Sequence, residues 1–403
     1  MDTVTDFVAA GSFADMAENV IYESLPDYAQ LVRTTDLKSN FSNNNFVYVN
    51  KKAFDFLWRV NLDTESIIMP NIGNCGEIYY VNKEILPYKH NVLGPNAILV
   101  RSQNQNNKFL SVSFLSDDFQ KKIKLIVSPN GQTKFNKTEL KTLDVIIPSV
   151  NEQIKVGTLF DSLDSLITLH QRKYDKLVYV KKALLDKMFP KNGELVPRLR
   201  FKGFTETWEL CKLGDIGTFK SNGVDKLSKP NEIPVNLLNY MDVYNRRKIS
   251  NNNASELMQV TAKQSQLIEN NILKNDVFFT PTSETPEDIG RVFVIEETLN
   301  NTVYSYHLMR YRPNNGVFYP NFPNYSLMTS HVRNQFFISA KGVQRYVVSK
   351  VDFEAIENYI PKYTEQAKIG EMFRTIDSLI TLHQRKYEKL VNIKKALLQK
   401  MFV

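Results

Sequence analysis

The segment SLITLHQRKYDKLVYVKKALLDKMF, residues 165–189, recurs as SLITLHQRKYEKLVNIKKALLQKMF at residues 378–402. Twenty-one of the 25 positions are identical at an offset of 213; the differences are Asp175/Glu388, Tyr179/Asn392, Val180/Ile393 and Asp186/Gln399. Leu159, Leu163, Leu166, His170, Tyr174, Leu177, Lys181, Leu184 and Met188 follow steps of three and four residues, the spacing of an amphipathic helix. The pattern predicts a helix from about Glu152 to Phe189, ~55 Å long at ~1.5 Å per residue, and its copy from Glu365 to Phe402. Each copy follows a proline (Pro148, Pro361) and an E-Q-x-K-x-G lead-in, and Pro190 stops the first. Near-identity of the copies predicts an antiparallel pair with internal pseudo-two-fold symmetry. Leu163, Leu166, Leu177 and Leu184 are expected to meet Ile376, Leu379, Leu390 and Leu397 in its seam.

The segments before and between these helices read mainly as strands. Candidates in the first are 28–34, 46–49, 66–70, 76–81, 97–101, SVSFL (111–115) and KIKLIV (122–127); in the second, 234–243, 276–281, 290–295 and 302–312. They also correspond to each other: Pro70 to Pro281, Gly76 to Gly290, ILVR (98–101) to HLMR (307–310), and GQTK (131–134) to GVQR (342–345). The chain therefore alternates head, helix, head, helix. The fold class is α+β, with two β-rich α/β heads at 1–148 and 191–361 alternating with two helices at 149–190 and 362–403 that form an antiparallel coiled coil.

A length of 403 residues favours more than one core. No apolar run is long enough to span a bilayer and no export signal opens the chain, which predicts a cytoplasmic protein. Cys75 and Cys211 stand apart from any CxxC or Cys/His cluster, arguing against a disulfide framework or a zinc site. A formal charge of +8 suits a polyanionic partner and also serves solubility. There is no P-loop, GxSxG, HExxH or GxGxxG motif, no base-flipping Asn-Pro-Pro-aromatic tetrapeptide, and the five histidines are scattered. The expectation is a chain that performs no chemistry itself.

The heads are instead stocked for recognition. Arg33, Lys38, Asn71, Asn74, Arg101 and Lys134 in the first, and Ser221, Asn222, Arg246, Arg247, Ser283, Glu284, His307, Arg310, Lys341 and Arg345 in the second, fall near strand ends or in connecting loops. Arg bridges guanine O6 and N7, Asn bridges adenine N6 and N7, and Glu accepts from cytosine N4; the same residue types also serve as phosphate contacts or plain surface. Arg345 and Lys134 stand out because each ends a loop led by glycine.

The doubled helix with its lead-in and KxxLLQKMF close, together with PRLRFKGFTETWELCKLGDIG (197–217), resembles the DNA-specificity subunits of type I restriction-modification systems over essentially the whole chain. The resemblance implies two target-recognition domains, each reading one half of a bipartite asymmetric DNA site. It implies two methyltransferase subunits docked on the helices, and restriction subunits with a translocase motor. S-adenosylmethionine, ATP and Mg²⁺ would be used by those partners and none by this chain. The first head departs from this pattern: it opens with DTVTDFVAAGSF, near the point matching GDIGTFKSNG (214–223), so about eighteen residues that open the second head lack a counterpart. Alternatives are a methylation-only or truncated specificity subunit, and a coiled-coil protein-interaction scaffold without DNA specificity.

Overall fold

In the computed structural model of the protein, residues 6–9, 13–128 and 133–402 are described. Gly131, and all but 6–9 and 13 of the DTVTDFVAAGSF stretch, lie outside them. The chain forms two compact units, residues 1–171 with 385–403 and residues 172–384, so each unit holds one head and one half of each long helix.

Among the described residues the first unit has seven strands: β1 (Asp6–Ala9), β2 (Ala29–Val32), β3 (Val47–Val49), β4 (Ser66–Pro70), β5 (Tyr79–Val81), β6 (Asn91–Leu93) and β7 (Ala97–Arg101). They form an antiparallel sheet ordered β1-β7-β4-β5 and a smaller one ordered β3-β2-β6, in which β2 and β6 run parallel. The second unit has β8 (Glu209–Lys212), β9 (Gly217–Lys220), β10 (Ile233–Leu238), β11 (Met258–Ala262), β12 (Asn271–Ile272), β13 (Val277–Phe279), β14 (Thr282–Ser283), β15 (Val292–Val294), β16 (Leu299–Tyr304), β17 (Met309–Pro313), β18 (Tyr346–Val347) and β19 (Glu357–Ile360). Its sheets β9-β17-β13-β15 and β11-β10-β16-β12 repeat the two orders of the first unit, including the parallel pair β10/β16. Gly76 and Gly290 both take positive φ (97° and 68°), as expected of equivalent turns open only to a residue without Cβ. The pair β8/β19 is found in the second unit alone among the described residues.

Two expected strands are helices. Ser111–Ser113 of SVSFL end the helix Asn107–Ser113, and Lys122–Ile126 of KIKLIV end the helix Asp117–Ile126. Asn106 and Ser116 cap these helices by accepting from the backbone N–H groups of Phe109 and Phe119, and Asp117 and Asp118 favour the positive end of the second. Phe119 and Ile123, one turn apart, are its buried face. Capping chemistry outweighs the β-branched content of these runs. The expected strand 302–312 is likewise broken at Ser305–Leu308 into β16 and β17.

The long helices run Val150–Lys187 and Tyr363–Met401. In the first unit Asp164 pairs with Lys394 and Phe160 meets Phe402; in the second Lys181 pairs with Asp377 and Phe189 meets Phe373. Partner numbers fall as residue numbers rise, so the helix halves run antiparallel within each unit. The two ion pairs are the same pair made twice, since Asp377 is Asp164 and Lys394 is Lys181 shifted by 213. The less exposed positions of the first helix include Phe160, Leu163, Ile167, His170, Tyr174, Leu177, Lys181, Leu184 and Met188, a stripe stepping by three and four. Leu163 and Ile376 are buried, and Leu177, Leu184, Leu390 and Leu397 lie on the stripe. Leu166 and Leu379, expected in the seam, face outward instead, Leu166 being 43% exposed, and Ile167 and Ile380 take their place. One residue of helix rotation, about 100° at ~3.6 residues per turn, separates the two assignments.

A buried glutamine joins each head to its helix. Gln153 accepts from the N–H of Asn106 and donates to the carbonyl of Pro148 and to Gln105 Oε1; Gln366 accepts from the N–H of Tyr319 and donates to the carbonyls of Val317 and Pro361. With both ends of the amide used, neither glutamine leaves an unpaired polar atom. In equilibrium urea unfolding, Leu163→Ala should cost ~2–5 kcal/mol by opening a cavity, whereas Leu166→Ala should stay within ~0.5 kcal/mol. Equal losses would contradict the phase of the stripe.

Candidate nucleic-acid interface

The antiparallel pair β14/β18 joins two distant segments of the second unit, with Thr282 opposite Val347 and Ser283 opposite Tyr346. The turn closed by the bridge between Lys341 and Val347 needs Gly342, at φ 141°, where a Cβ would lie 2.1 Å from the Arg345 carbonyl oxygen. Arg345 is exposed and its Nη2 donates to the Thr282 hydroxyl at 3.2 Å, with no carboxylate within ion-pair distance among the described residues. The Tyr240 hydroxyl donates to the Thr282 carbonyl at 2.7 Å, and Tyr240 stacks on Tyr244. The guanidinium of Arg291 lies over the Tyr244 ring. His307 contacts the ring of the half-exposed Tyr306, and its imidazole is held below its ordinary pKa by burial and by the charges of Lys226 and Arg345. Lys226, Tyr240, Tyr306, His307 and Arg345 thus combine cations and aromatic rings around one strand edge.

Other residues expected to contact DNA occupy different settings. Arg310 is 7% exposed, and its guanidinium donates to the carbonyls of Glu269 and Asn271. That geometry ties β17 to β12 and withdraws Arg310 from solvent. Ser283 is buried, with its hydroxyl donating to the Thr285 carbonyl. Arg247 pairs with Asp242 and Glu256, and Arg246, in the left-handed region at φ 50°, lies within electrostatic reach of Asp377 and Arg291. Asn222 and Glu284 are exposed, Ser221 is half-buried, and Lys341 is exposed beside Asp352.

In the first unit the cations are mostly paired within the fold. Arg33 chelates Asp36 and donates to the Asn45 carbonyl, and Lys38 pairs with Glu77. Arg101 donates to the Ser66 hydroxyl and the Asn61 carbonyl, while Asn71 donates to the Phe135 carbonyl. Lys134 is exposed on a strand bridge to Ile72, next to exposed Asn74, in the place that β18 holds in the second unit. Lys226, Tyr240 and Tyr306 are absent from the sequence-based set because 66 residues separate Tyr240 from Tyr306 and only the fold unites them. Among the described residues no group of three His, Cys, Asp or Glu is placed to hold a metal ion, and no helix is long and apolar enough to cross a membrane.

The type I restriction modification DNA specificity domain matches residues 29–179 and again residues 205–392, and the chain belongs to that family. That family is the non-catalytic specificity component of such systems. The chain is 21% identical, over 323 residues, to a putative type I restriction enzyme MjaX specificity subunit of Methanocaldococcus jannaschii, covering 76% of this chain and 70% of that protein. Among solved structures it resembles the S subunit of a type I restriction-modification system from M. genitalium, with a TM-score of 0.60 and 14% identity over 100% of this chain and 94% of that one. An HsdS subunit from Thermoanaerobacter tengcongensis is also similar, with a TM-score of 0.43 and 12% identity over 99% and 96% of the two chains.

The depressed pKa of His307 carries a pH dependence. A histidine whose folded pKa lies below its unfolded value of about 6.5 is neutral in the fold, so its contribution is complete above that value and is lost as pH falls below it. His331, also depressed by burial, adds in the same direction. Unfolding free energy should fall between pH 7.5 and 5.5, and His307→Gln should flatten part of that fall. An unchanged profile would show that His307 titrates normally.

Proposed function

We propose that this chain binds duplex DNA as the specificity subunit of a type I restriction-modification complex. In this reading the heads at 1–148 and 191–361 each read one half of a bipartite asymmetric site. Two methyltransferase subunits dock on the helices at 149–190 and 362–403, whose exposed Lys173, Lys176 and Lys182 and their copies Lys386, Lys389 and Lys395 offer a surface repeated on both helices. Restriction subunits complete the assembly. S-adenosylmethionine, ATP and Mg²⁺ serve those partners, and the protein works in the cytoplasm.

The cationic and aromatic edge formed by Lys226, Tyr306, His307 and Arg345 carries the reading. An exposed, uncompensated arginine is suited to a base edge or a phosphate, and adjacent tyrosines add contact area at little entropic cost. Exposed Glu284 beside it adds an acceptor for cytosine N4. In the first head Lys134 and Asn74 take the corresponding part. The seam helices alone would equally suit a protein scaffold, but a scaffold gives no reason for a cationic edge on β14/β18.

Fluorescence anisotropy with labelled duplex, repeated across a salt series, tests the proposal. Affinity should fall steeply with salt, and Arg345→Ala should weaken binding by ~1–3 kcal/mol. A loss confined to one target position marks Arg345 as a base reader, and a uniform loss marks a phosphate contact. Salt-independent binding, or no effect of Arg345→Ala, would overturn the assignment of this edge. Arg310→Ala is expected to lower the stability of the second unit.

A further inference from the structure

Each head closes a short helix with the same turn. In the first unit the turn follows the helix Thr34–Lys38, and in the second the helix Tyr240–Tyr244, at an offset of 206 residues. The Asp36 carboxylate accepts from the N–H of Arg33, and the Asp242 carboxylate from that of Asn239. Beyond the helix the N–H groups of Asn40 and Phe41 donate to the carbonyls of Leu37 and Asp36, as those of Arg246 and Arg247 do to the carbonyls of Val243 and Asp242. Asn40 at φ 48° and Arg246 at φ 50° take the same left-handed conformation. Asparagine visits that region at little cost because its short polar side chain bonds locally, and arginine has no such compensation. The second head thus keeps a turn suited to asparagine and places an arginine in it. Backbone strain of this kind is concentrated at ligand-binding positions.

Around Arg246 the fold gathers cations whose partners are already taken. The helices Tyr240–Tyr244 and Pro323–Ser326 both pack against β15, and Arg291 stands at the start of that strand. Arg291 pairs with Asp288 and lies over the Tyr244 ring, while Arg333 donates to the carbonyls of Gly290 and Glu287. Asp377 is engaged as well, by Lys181 and by the Tyr325 hydroxyl. Arg246 itself is exposed, and among the described residues no carboxylate lies within ion-pair distance of it. Desolvation holds its guanidinium below the ordinary pKa of arginine, with Asp377 opposing that shift and Arg291 adding to it. Arg333 is shifted likewise, by desolvation first, with Arg291 and Arg246 adding to it. The cluster is continuous with the strand edge described above: Tyr244 stacks on Tyr240, whose hydroxyl donates to Thr282, the residue that Arg345 also bonds.

We propose that Arg246 holds a backbone phosphate of the bound DNA, on a cationic track that runs from Arg345 past the stacked Tyr240 and Tyr244 to Arg291. This inference rests on the DNA-binding reading above and adds to it a contact away from the β14/β18 pair. An excess of cations without a free counter-ion suits a phosphate, which fixes the position of the duplex and carries no base identity. Arg291, held by Asp288 and the Tyr244 ring, reinforces the field at that phosphate without leaving its own partners. In the first head the same turn presents exposed, uncharged Asn40, so the charge at this position is a point of divergence between the heads.

The test is fluorescence anisotropy of the full chain with a panel of labelled duplexes of unrelated sequence, each over a salt series. Arg246→Asn places there the residue that the first head carries in the same turn, so its thermal transition should be unchanged or higher. Its affinity should fall roughly ten-fold at about 0.1 M salt, equally for every duplex, and the slope of log affinity against log salt should become shallower by about 0.9. Arg246→Lys keeps the charge and should keep the native slope. A loss that varies with duplex sequence would make Arg246 a base reader and overturn the proposal. A slope lost equally in both variants would mark a structural role and overturn it too. If the native chain binds with a steep salt dependence and Arg246→Asn binds identically, this inference fails while the DNA-binding reading stands; a native chain without salt-sensitive binding overturns that reading itself. Weakened capture of a type I methyltransferase subunit by Arg246→Asn, with DNA binding intact, would give the site to that partner and refute a phosphate.

Discussion

One ion pair, made twice, sets the register of the two long helices: Asp164 with Lys394 and Lys181 with Asp377. Partly exposed pairs of this kind contribute only ~0–1 kcal/mol each. Their weight lies in discrimination, because a one-turn slip would take Lys394 from Asp164 and Lys181 from Asp377, leaving Lys108 alone on the first carboxylate and the Tyr325 hydroxyl alone on the second. The stripe itself, from Phe160 through Leu163 and Ile167 to Met188, supplies the burial. Identity of the two helix sequences follows from this constraint, since each Asp and each Lys must meet the other helix's copy.

From the seam the constraint passes into the heads through Gln153 and Gln366. Each fixes the first turn of a helix to the backbone of its own head, so the helix start and the neighbouring chain move as one piece. Beyond that joint the two heads share strand order while their surfaces differ. The first unit spends Arg33, Lys38 and Arg101 on internal partners; the second leaves Arg345 uncompensated beside Lys226 and His307. A common frame with divergent edges suits the proposed reading of two different half-sites.

The helices were legible in the sequence because a repeat of 25 residues and a strict apolar period leave little else to form. Central strands were legible too: SIIMP and AILVR match β4 and β7 residue for residue. SVSFL and KIKLIV look like strands by their β-branched content, and the caps Asn106 and Ser116 just upstream make them helical. Leucines at steps of three and four fit two adjacent phases, one with Leu166 in the seam and one with Ile167, and only packing chooses Ile167. In the candidate site the residue types were readable but their exposure was not. Burial of Arg310 depends on carbonyls at Glu269 and Asn271, about forty residues away, and the meeting of Tyr240 with Arg345 is a product of the sheet.

The proposed division of labour gives the choice of bases in one half-site to the second head and partner docking to the helices. Sequencing of modified bases in a host that expresses the chain with a type I methyltransferase subunit addresses it most directly, comparing the native chain with one whose residues 217–355 come from a different specificity subunit. The account predicts a bipartite motif in which one half changes and the other half is retained. Modification at an unchanged motif, or a change in both halves, would contradict it.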